Sequence, residues 1–433
     1  MSASQSPTQR TTLHFDIAII GAGPVGMSLA LALAGSAYRV CLIDRQSQAS
    51  LCTPTADTRV LALSAGSRQL LSQLSAWDEQ ATTAIHDIHI SQRNGFGRSV
   101  LQREECALPA LGYVVSYRAL LSMLAARLSA LGAFNEAEQP LRVLTQRQVE
   151  HITTQGEGIL IELSSTQAEL ATQLPQTLCA QLLVHAEGHA NYANTQHTNT
   201  QGERAFDSAH KAAQQSRTYD YAQHALLAEV RTAQAHQNRA WERFTPDGPL
   251  ALLPHGEHYA LVYTLPSERA AQVLALDEAA FLATLQNSFA HAFSSRLDFI
   301  AASARSSFPL SLRLRPKVTA TRQVWIGNSA QTLHPVAGQG FNLGLRDAWS
   351  LAEVLQNHRY SDLGEASLLA RYARSRCLDR YASVGFTDGM VRLFSNDLAP
   401  LRLARGIGLW ALDSSPALRQ FVAKRMIWGA RAW

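Results

Sequence analysis

Phe15-Asp16-Ile17-Ala18-Ile19-Ile20 is a short, β-branched run in which nearly every position is apolar. A run without polar alternation predicts a parallel strand buried on both faces. It stops at glycine. Residues 25–37 then have the Ala and Leu content of a buried helix, and Arg39-Val40-Cys41-Leu42-Ile43-Asp44 predicts a second buried strand closed by an acid. Together they make a strand-turn-helix-strand unit of about thirty residues.

Further along, residues 118–130 repeat apolar positions at helical spacing, and 159–163 and 178–186 have strand patterns. Residues 187–217 are rich in Asn, Gln, Thr, His and Ser and predict an irregular connection into a different region. Residues 219–264 then read as short strands, among them 225–230 and 259–263, with Pro246-Asp247-Gly248-Pro249 as a turn. The pattern predicts a helix over 279–293, a buried strand over 323–327, an amphipathic helix over 342–358 and mostly helix after 363. No fixed-period repeat is visible.

A chain of 433 residues is too long for one ordinary core, so two packed regions or one domain with insertions is expected. Charged residues are only 17%, against a usual ~25%, and the deficit is local. Residues 17–38 and 323–345 hold no Asp, Glu, Lys or Arg, and each is long enough to cross a bilayer at ~20 residues per span. Their contents oppose that reading: the first holds Gly21, Gly23, Pro24, Gly26 and Gly35, and the second holds Asn328, Gln331, His334, Pro335, Gln339 and Asn342. A net charge of +4, without a basic run interleaved with aromatics, argues against nucleic acid as a partner. Five scattered cysteines with no C-x-x-C pair point to neither a disulfide framework nor a metal site. Residues 1–12 read as a flexible tail rather than a signal peptide, and the expected location is cytoplasmic.

Gly21-Ala22-Gly23-Pro24-Val25-Gly26 fits G-x-G-x-x-G between the predicted strand and helix. Its glycines serve the tight turn, backbone approach to a pyrophosphate, and close helix–strand packing; the free N–H groups of the helix start meet the phosphates. Asp44 ends the next strand, where a carboxylate accepts hydrogen bonds from a ribose diol. This unit serves NAD or FAD, and a ligand-free glycine turn is its alternative.

The second uncharged stretch separates these. Gly327-Asn328-Ser329-Ala330-Gln331-Thr332-Leu333-His334-Pro335-Val336-Ala337-Gly338-Gln339-Gly340-Phe341-Asn342-Leu343-Gly344-Leu345-Arg346-Asp347 resembles the second flavin motif of the class A FAD-dependent aromatic-ring monooxygenases. Its phrasing is most like the hydroxylases of ubiquinone biosynthesis that act on 2-polyprenyl-6-methoxyphenols. Residues 57–64, 111–115 and 240–246 also resemble that group, so the likeness spans most of the chain. The resemblance implies an α/β fold: a discontinuous, Rossmann-like FAD-binding domain (13–80, 110–190, 305–365), an inserted β-rich substrate domain (81–109, 215–304), a polar connection (191–214) and a helical C-terminus (366–433). It implies FAD, NAD(P)H as a transient donor, dioxygen, and a polyprenyl phenol hydroxylated through a flavin 4a-hydroperoxide. The implied FAD-binding residues are Gly21, Gly23, Pro24, Gly26, Asp44, Arg45, Arg59, Arg118, Glu187, Gly327, Asn328, Pro335, Gly338, Gln339, Gly340, Phe341 and Asn342.

Two positions depart from the family pattern. Glu187-Gly188-His189-Ala190-Asn191 stands where Asp-Gly with a downstream Ser and Arg is usual, and Asn328 follows Gly327 in place of Asp. Gly338, Gln339 and Gly340 are expected just before a helix, whose dipole would face the pyrimidine edge of the flavin. Arg59 and Arg118 match basic positions near the flavin or its phosphates; each also reads as a surface or helix-face arginine. His334 is the titratable side chain of the loop, either a catalytic group acting near neutral pH or a histidine satisfied within the structure. Residues 401–433 are basic and hold Trp410, Trp428 and Trp433, which suits peripheral contact with an inner membrane, a biosynthetic complex, or the protein's own body. Competing readings are a reductase or dehydrogenase on the same fold and a non-catalytic flavin-fold subunit.

Overall fold

The computed structural model describes residues 12–429 apart from 54–56, 58, 94, 136–138, 167–175, 189–215, 290–296, 358–361 and 397. The expected tail before Thr12, the polar connection and His189-Ala190-Asn191 lie outside the described residues.

The apolar run that opens the sequence forms the strand Thr12–Ile20, at the centre of the first sheet. It pairs in parallel with Gln176–His185 on one side and Val40–Ile43 on the other. Leu141–Leu144 extends the sheet beyond Val40–Ile43, and Gln323–Trp325 extends it beyond Gln176–His185. Burial on both faces explains the missing polar alternation: Ile17 and Ile19 join one core cluster, while Ala18 and Ile20 join another. Helix α1 (Pro24–Leu33) covers the first face. It ends at Leu33 rather than at 37, because the chain turns through Gly35 at φ +81° to enter the next strand. Helices α2 (Gln48–Cys52), α3 (Ala65–Gln73) and α4 (Tyr117–Ala130) follow, α4 packing beside α1.

The second sheet runs Gln331–Thr332, Ser306–Leu314, Arg217–Thr232, His258–Pro266, Gly248–His255, Arg239–Thr245, Asp87–Gln92, Arg98–Gln102. Helices α5 (Ser267–Leu274) and α6 (Glu278–Phe289) cover its outer face, where Trp241, Leu252, Leu261 and Tyr263 meet Phe281 and Phe289. The inner face is turned toward the first sheet. Two expectations change here. The short strands expected from 219 begin as one long strand, Arg217–Thr232, whose register slips between Asp220 and Gln223 where Ala222 takes φ +52°. Ser306–Leu314, expected in the FAD-binding region from 305, pairs with Arg217–Thr232 in the second sheet. Local pattern marks a strand but not which sheet accepts it.

Helix α7 (Gln339–Gln356) lies on α1, and α8 (Ala366–Phe394) lies on α7. Helices α9 (Ala399–Ser414) and α10 (Pro416–Trp428) fold back over the join between the sheets; Ala423 and Ile427 pack with Ala65, Leu101 and Leu111.

Candidate functional site

At the dinucleotide turn each glycine has a separate physical reason. A Cβ at Gly26 would stand 1.9 Å from the carbonyl oxygen of Gly21, so only glycine lets α1 approach the strand end. Gly21 itself sits at φ +101° against the Ala186 backbone. Gly23 is the N-cap of α1 and Pro24 opens the helix. Asp44 accepts hydrogen bonds from the Ala22 N–H (2.7 Å) and the Gln46 N–H (2.8 Å), so the acid braces the turn while its carboxylate stays in the cleft wall.

Several helix starts in this chain are capped by a side chain. Ser64 and Ser116 cap α3 and α4, accepting from the N–H groups of Ser67 and Ala119. Helices α1 and α7 have glycine at the N-cap and no side-chain cap. Their free N–H groups are left for a ligand, and both starts line the same cleft.

Helix α7 begins at Gln339, three residues before the expected start, so Gln339, Gly340, Phe341 and Asn342 form its first turn. Gly338 takes φ +59° and closes on Ala62, with 2.9 Å between an added Cβ and the Ala62 Cβ. At Gly340 nothing lies within 4 Å of an added Cβ, which leaves the helix side open to an approaching ring. Asn342 fastens this turn: its Oδ1 accepts from the Ser64 N–H (2.9 Å) and the Ser67 hydroxyl (2.6 Å), and its Nδ2 donates to the carbonyls of Ala62 and Gly338. Gln339 is buried, its Nε2 3.4 Å from the Met426 carbonyl.

Beneath the loop lies a buried ion network that pattern reading missed. The Asp347 carboxylate accepts from the Gly327 N–H (3.1 Å) and the Gln331 Nε2 (2.5 Å), and pairs with Arg376 at 2.7 Å. Arg376 and Arg346 both reach Asp379 at 2.8 Å, and Arg380 donates to the Gln331 Oε1 at 2.6 Å. Burial opposes the charge on Arg376, but the two carboxylates outweigh it and hold its pKa above the ordinary value. Gly188, after Glu187, donates its N–H to the Ser329 hydroxyl, joining the central motif to the same loop.

One cleft of about 1380 Å³ connects these parts. Gly21, Gly23, Pro24, Asp44, Arg45, Arg59, Glu187, Gly327 and Asn328 line its cofactor end, and Pro335, Gly338, Gly340 and Phe341 line it where the flavin loop borders an apolar chamber. Arg59 is held by Asp57 at 2.5 Å and lies over the Tyr117 ring at 4.8 Å; the bond to Asp57 raises its pKa. Gly26, Arg118, Gln339, Asn342 and His334 are not in the wall. Arg118 is exposed on the first turn of α4. His334 is buried under the loop, its Nδ1 accepting from the Val336 N–H at 3.1 Å and its ring edge-on to Tyr221. Burial lowers its pKa to about 4, so it is neutral at pH 7.

The inner face of the second sheet walls the chamber with Ile88, Ile90, Ala240, Phe244, Leu253 and Phe308, and helices α8 and α9 close it with Phe394, Leu409 and Leu412. One acid interrupts the apolar wall. Glu242 stands between Ala240 and Phe244 on Arg239–Thr245, and burial pushes its pKa up to about 7. The sequence signal for it is an acid at an inward position of an alternating strand.

A parallel sheet with a G-x-G-x-x-G turn, and a second uncapped helix facing the same cleft, define a flavin-binding oxidoreductase. The chain belongs to the FAD binding domain family, whose profile matches residues 14–384, and it is an FAD-dependent monooxygenase. It is 31% identical over 417 residues to the 3-demethoxyubiquinol 3-hydroxylase of Escherichia coli (strain K12), covering 94% of this chain and 97% of that protein. It is 30% identical over 417 residues to the ubiquinone hydroxylase UbiL of Rhodospirillum rubrum, covering 95% and 89%. Among solved structures, p-nitrophenol 4-monooxygenase PnpA from Pseudomonas putida DLL-E4 matches with a TM-score of 0.71 at 13% identity, over 97% of this chain and 100% of that one. Pseudomonas aeruginosa PqsL matches with a TM-score of 0.68 at 18% identity, over 91% and 100%. At these identities the structural likeness speaks for the fold. FAD fits the residues present: two free helix starts, an acid in the cleft wall at the dinucleotide turn, and open space beside Gly340.

Proposed function

We propose that this protein hydroxylates the ring of a polyprenyl phenol in ubiquinone synthesis, with dioxygen as the oxygen source and NAD(P)H as a transient electron donor. The observation that carries the reading is the continuity of the cleft from the dinucleotide turn into an apolar chamber. Dinucleotide, aromatic ring and the start of a prenyl chain need more room than the ~300–1000 Å³ of a small-ligand pocket, and the cleft supplies it. The names of the ubiquinone hydroxylases among its relatives support the same substrate class.

When bound, FAD supplies the oxygen-activating chemistry. The start of α1 would receive the pyrophosphate and Asp44 the ribose hydroxyls; the Asn328 amide would serve the ribityl chain, and the start of α7 would receive negative charge on the flavin ring. The chamber walls hold the substrate ring and keep water away. His334 holds the loop through Val336 and is kept neutral at pH 7 by its burial.

The chamber reaches the surface beside α9, where the exposed small residues Ala404 and Gly408 line the cleft. On the outer side of that helix Leu403, Ile407 and Trp410 are 56%, 50% and 62% exposed. An apolar stripe beside the mouth suits peripheral contact with the membrane that holds a prenylated substrate. Part of the basic charge expected there is used internally, since Arg405 bonds the Leu393 and Asn396 carbonyls and Arg419 pairs with Glu105.

The test is oxygen uptake by the purified holoenzyme with a short-chain prenyl phenol. The proposal requires NAD(P)H consumption, oxygen uptake and hydroxylated product in equal amounts. NAD(P)H oxidation without hydroxylated product would instead support a reductase on the same fold.

A further inference from the structure

Across the second sheet, the residues facing the chamber form a row. Ile90, Glu242, Ala251, Val262 and Leu227 are register partners on five adjacent strands, and all line the cleft. Glu242 carries the one charge in that row. Its Oε1 is closed off from solvent and takes no hydrogen bond from any described residue. Glu242 as a whole is half-buried, but a carboxylate oxygen left without a partner in an apolar wall costs the folded state stability, which is the condition of a group waiting for a ligand.

Its position relative to the flavin loop is set by Phe244, two residues along the same strand. Phe244 stacks on Phe394 at 3.8 Å and packs against Val336 of the loop. Glu242 thus stands one pleat repeat, ~7 Å, from the point where loop and sheet meet. Among the described residues no cation forms an ion pair with it. Arg243 and His89 lie on the outer face, Arg243 donating to the Ser288 carbonyl and His89 packing at a tilt against the Trp241 ring. Across the cleft, Arg405 of α9 is turned to backbone carbonyls, and His334 faces Tyr221. Arg59 and Glu187 line the cofactor end of the cleft.

We propose that Glu242 is the carboxylate that accepts the ring-hydroxyl proton of the phenol substrate. The inference rests on the phenol reading given above. The O–H bond of the phenol breaks and its proton bonds to a Glu242 carboxylate oxygen. The electron pair left on the phenol oxygen moves into the ring, making the neighbouring carbon the nucleophile toward the incoming oxygen atom. That carbon then loses its hydrogen to water as a proton, and the ring oxygen takes its own proton back from Glu242. The carbon–oxygen bond forms as the O–O bond breaks; dioxygen is the oxidant, NAD(P)H with one proton supplies the two electrons, and the second oxygen atom leaves as water. Burial brings the carboxyl up to about 7, near the working pH, where a general base is most effective.

The experiment uses FAD-loaded enzyme with 2-geranylphenol as probe and its methyl ether as a control without an ionisable proton. Glu242→Gln is expected to lose about 100-fold in kcat with KM little changed, and to lose the rise of rate with pH near 7. Glu242→Asp should recover part of the rate. In the second arm, perturbation of the flavin absorbance reads binding: wild type should prefer the phenol to its ether by about tenfold, and Glu242→Leu should bind both alike. FAD content reports that each variant is folded. A Glu242→Gln enzyme with wild-type kcat and pH profile overturns the assignment and leaves the phenol reading standing. A wild type that binds FAD and consumes NAD(P)H but hydroxylates no phenol overturns both.

Discussion

Two glycines of the cofactor site show why residue type alone does not reveal role. At Gly26 an added methyl meets a backbone oxygen at 1.9 Å, and neither partner can turn aside. Gly26→Ala should destabilise the protein by about 1–3 kcal/mol or more and yield enzyme that has lost its FAD. At Gly340 an added methyl meets nothing in the protein. Gly340→Ala should therefore keep or raise the unfolding temperature while FAD affinity falls, and equal loss of stability in both variants would contradict this division. Glu242 supplies a prediction with a pH signature. Its folded pKa of about 7 lies above the ordinary 4.5, so the folded state loses stability as pH rises from 4.5 to 7. Glu242→Leu should melt at a higher temperature than wild type, the gap being small at pH 5 and largest above pH 7. A gap independent of pH between those values would count against an orphan carboxylate. His334 behaves oppositely, because its titration lies near pH 4; His334→Asn should leave the shape of the rate profile between pH 6 and 8 unaltered.

Among the elements, the join between the flavin loop and helices α7 and α8 matters most. Asp347 takes the Gly327 N–H and the Arg376 guanidinium at once, and both side chains are buried. Removing one charge from a buried pair costs about 3–5 kcal/mol, whereas an exposed pair such as Arg68–Glu79 is worth at most ~1 kcal/mol. Asp347→Asn should thus lower the unfolding temperature and weaken FAD retention together, while Glu79→Gln should change neither. Thermal melts followed by flavin fluorescence compare them directly. Part of the architecture at this scale was legible in the chain: the nearly all-apolar strand and the glycine turn that opens α1. Each of these is decided within a few neighbouring residues. The start of α7 was less legible because Gly338 closes on Ala62, a residue far away in the chain.

For the whole molecule, α9 stands between the chamber and solvent, where the proposed prenylated substrate would meet the protein. Its inner side lines the cleft through Leu409 and Leu412, and its outer side presents Leu403, Ile407 and Trp410. Replacing Ile407 and Trp410 by Glu should reduce sedimentation with anionic phospholipid vesicles by about tenfold or more, while oxygen uptake with a short, soluble phenol persists. Retained vesicle binding would move the contact elsewhere. No helix among the described residues is long and apolar enough to cross a membrane.

By itself the sequence determined the dinucleotide turn, the flavin loop and the family, because those depend on glycine positions and on runs of apolar residues close together in the chain. Its two charge-free stretches hold the Gly21–Gly26 turn and the loop that leads into α7, each of which contributes residues to the cleft wall. Tertiary structure alone decided which of the named residues share that wall. It set Gly26 and Asn342 to packing, placed His334 beneath the loop, moved Ser306–Leu314 into the second sheet, and left Glu242 facing the chamber. The physical reason is that burial and partnership of a polar group depend on contacts between residues hundreds of positions apart, and local pattern carries no record of them.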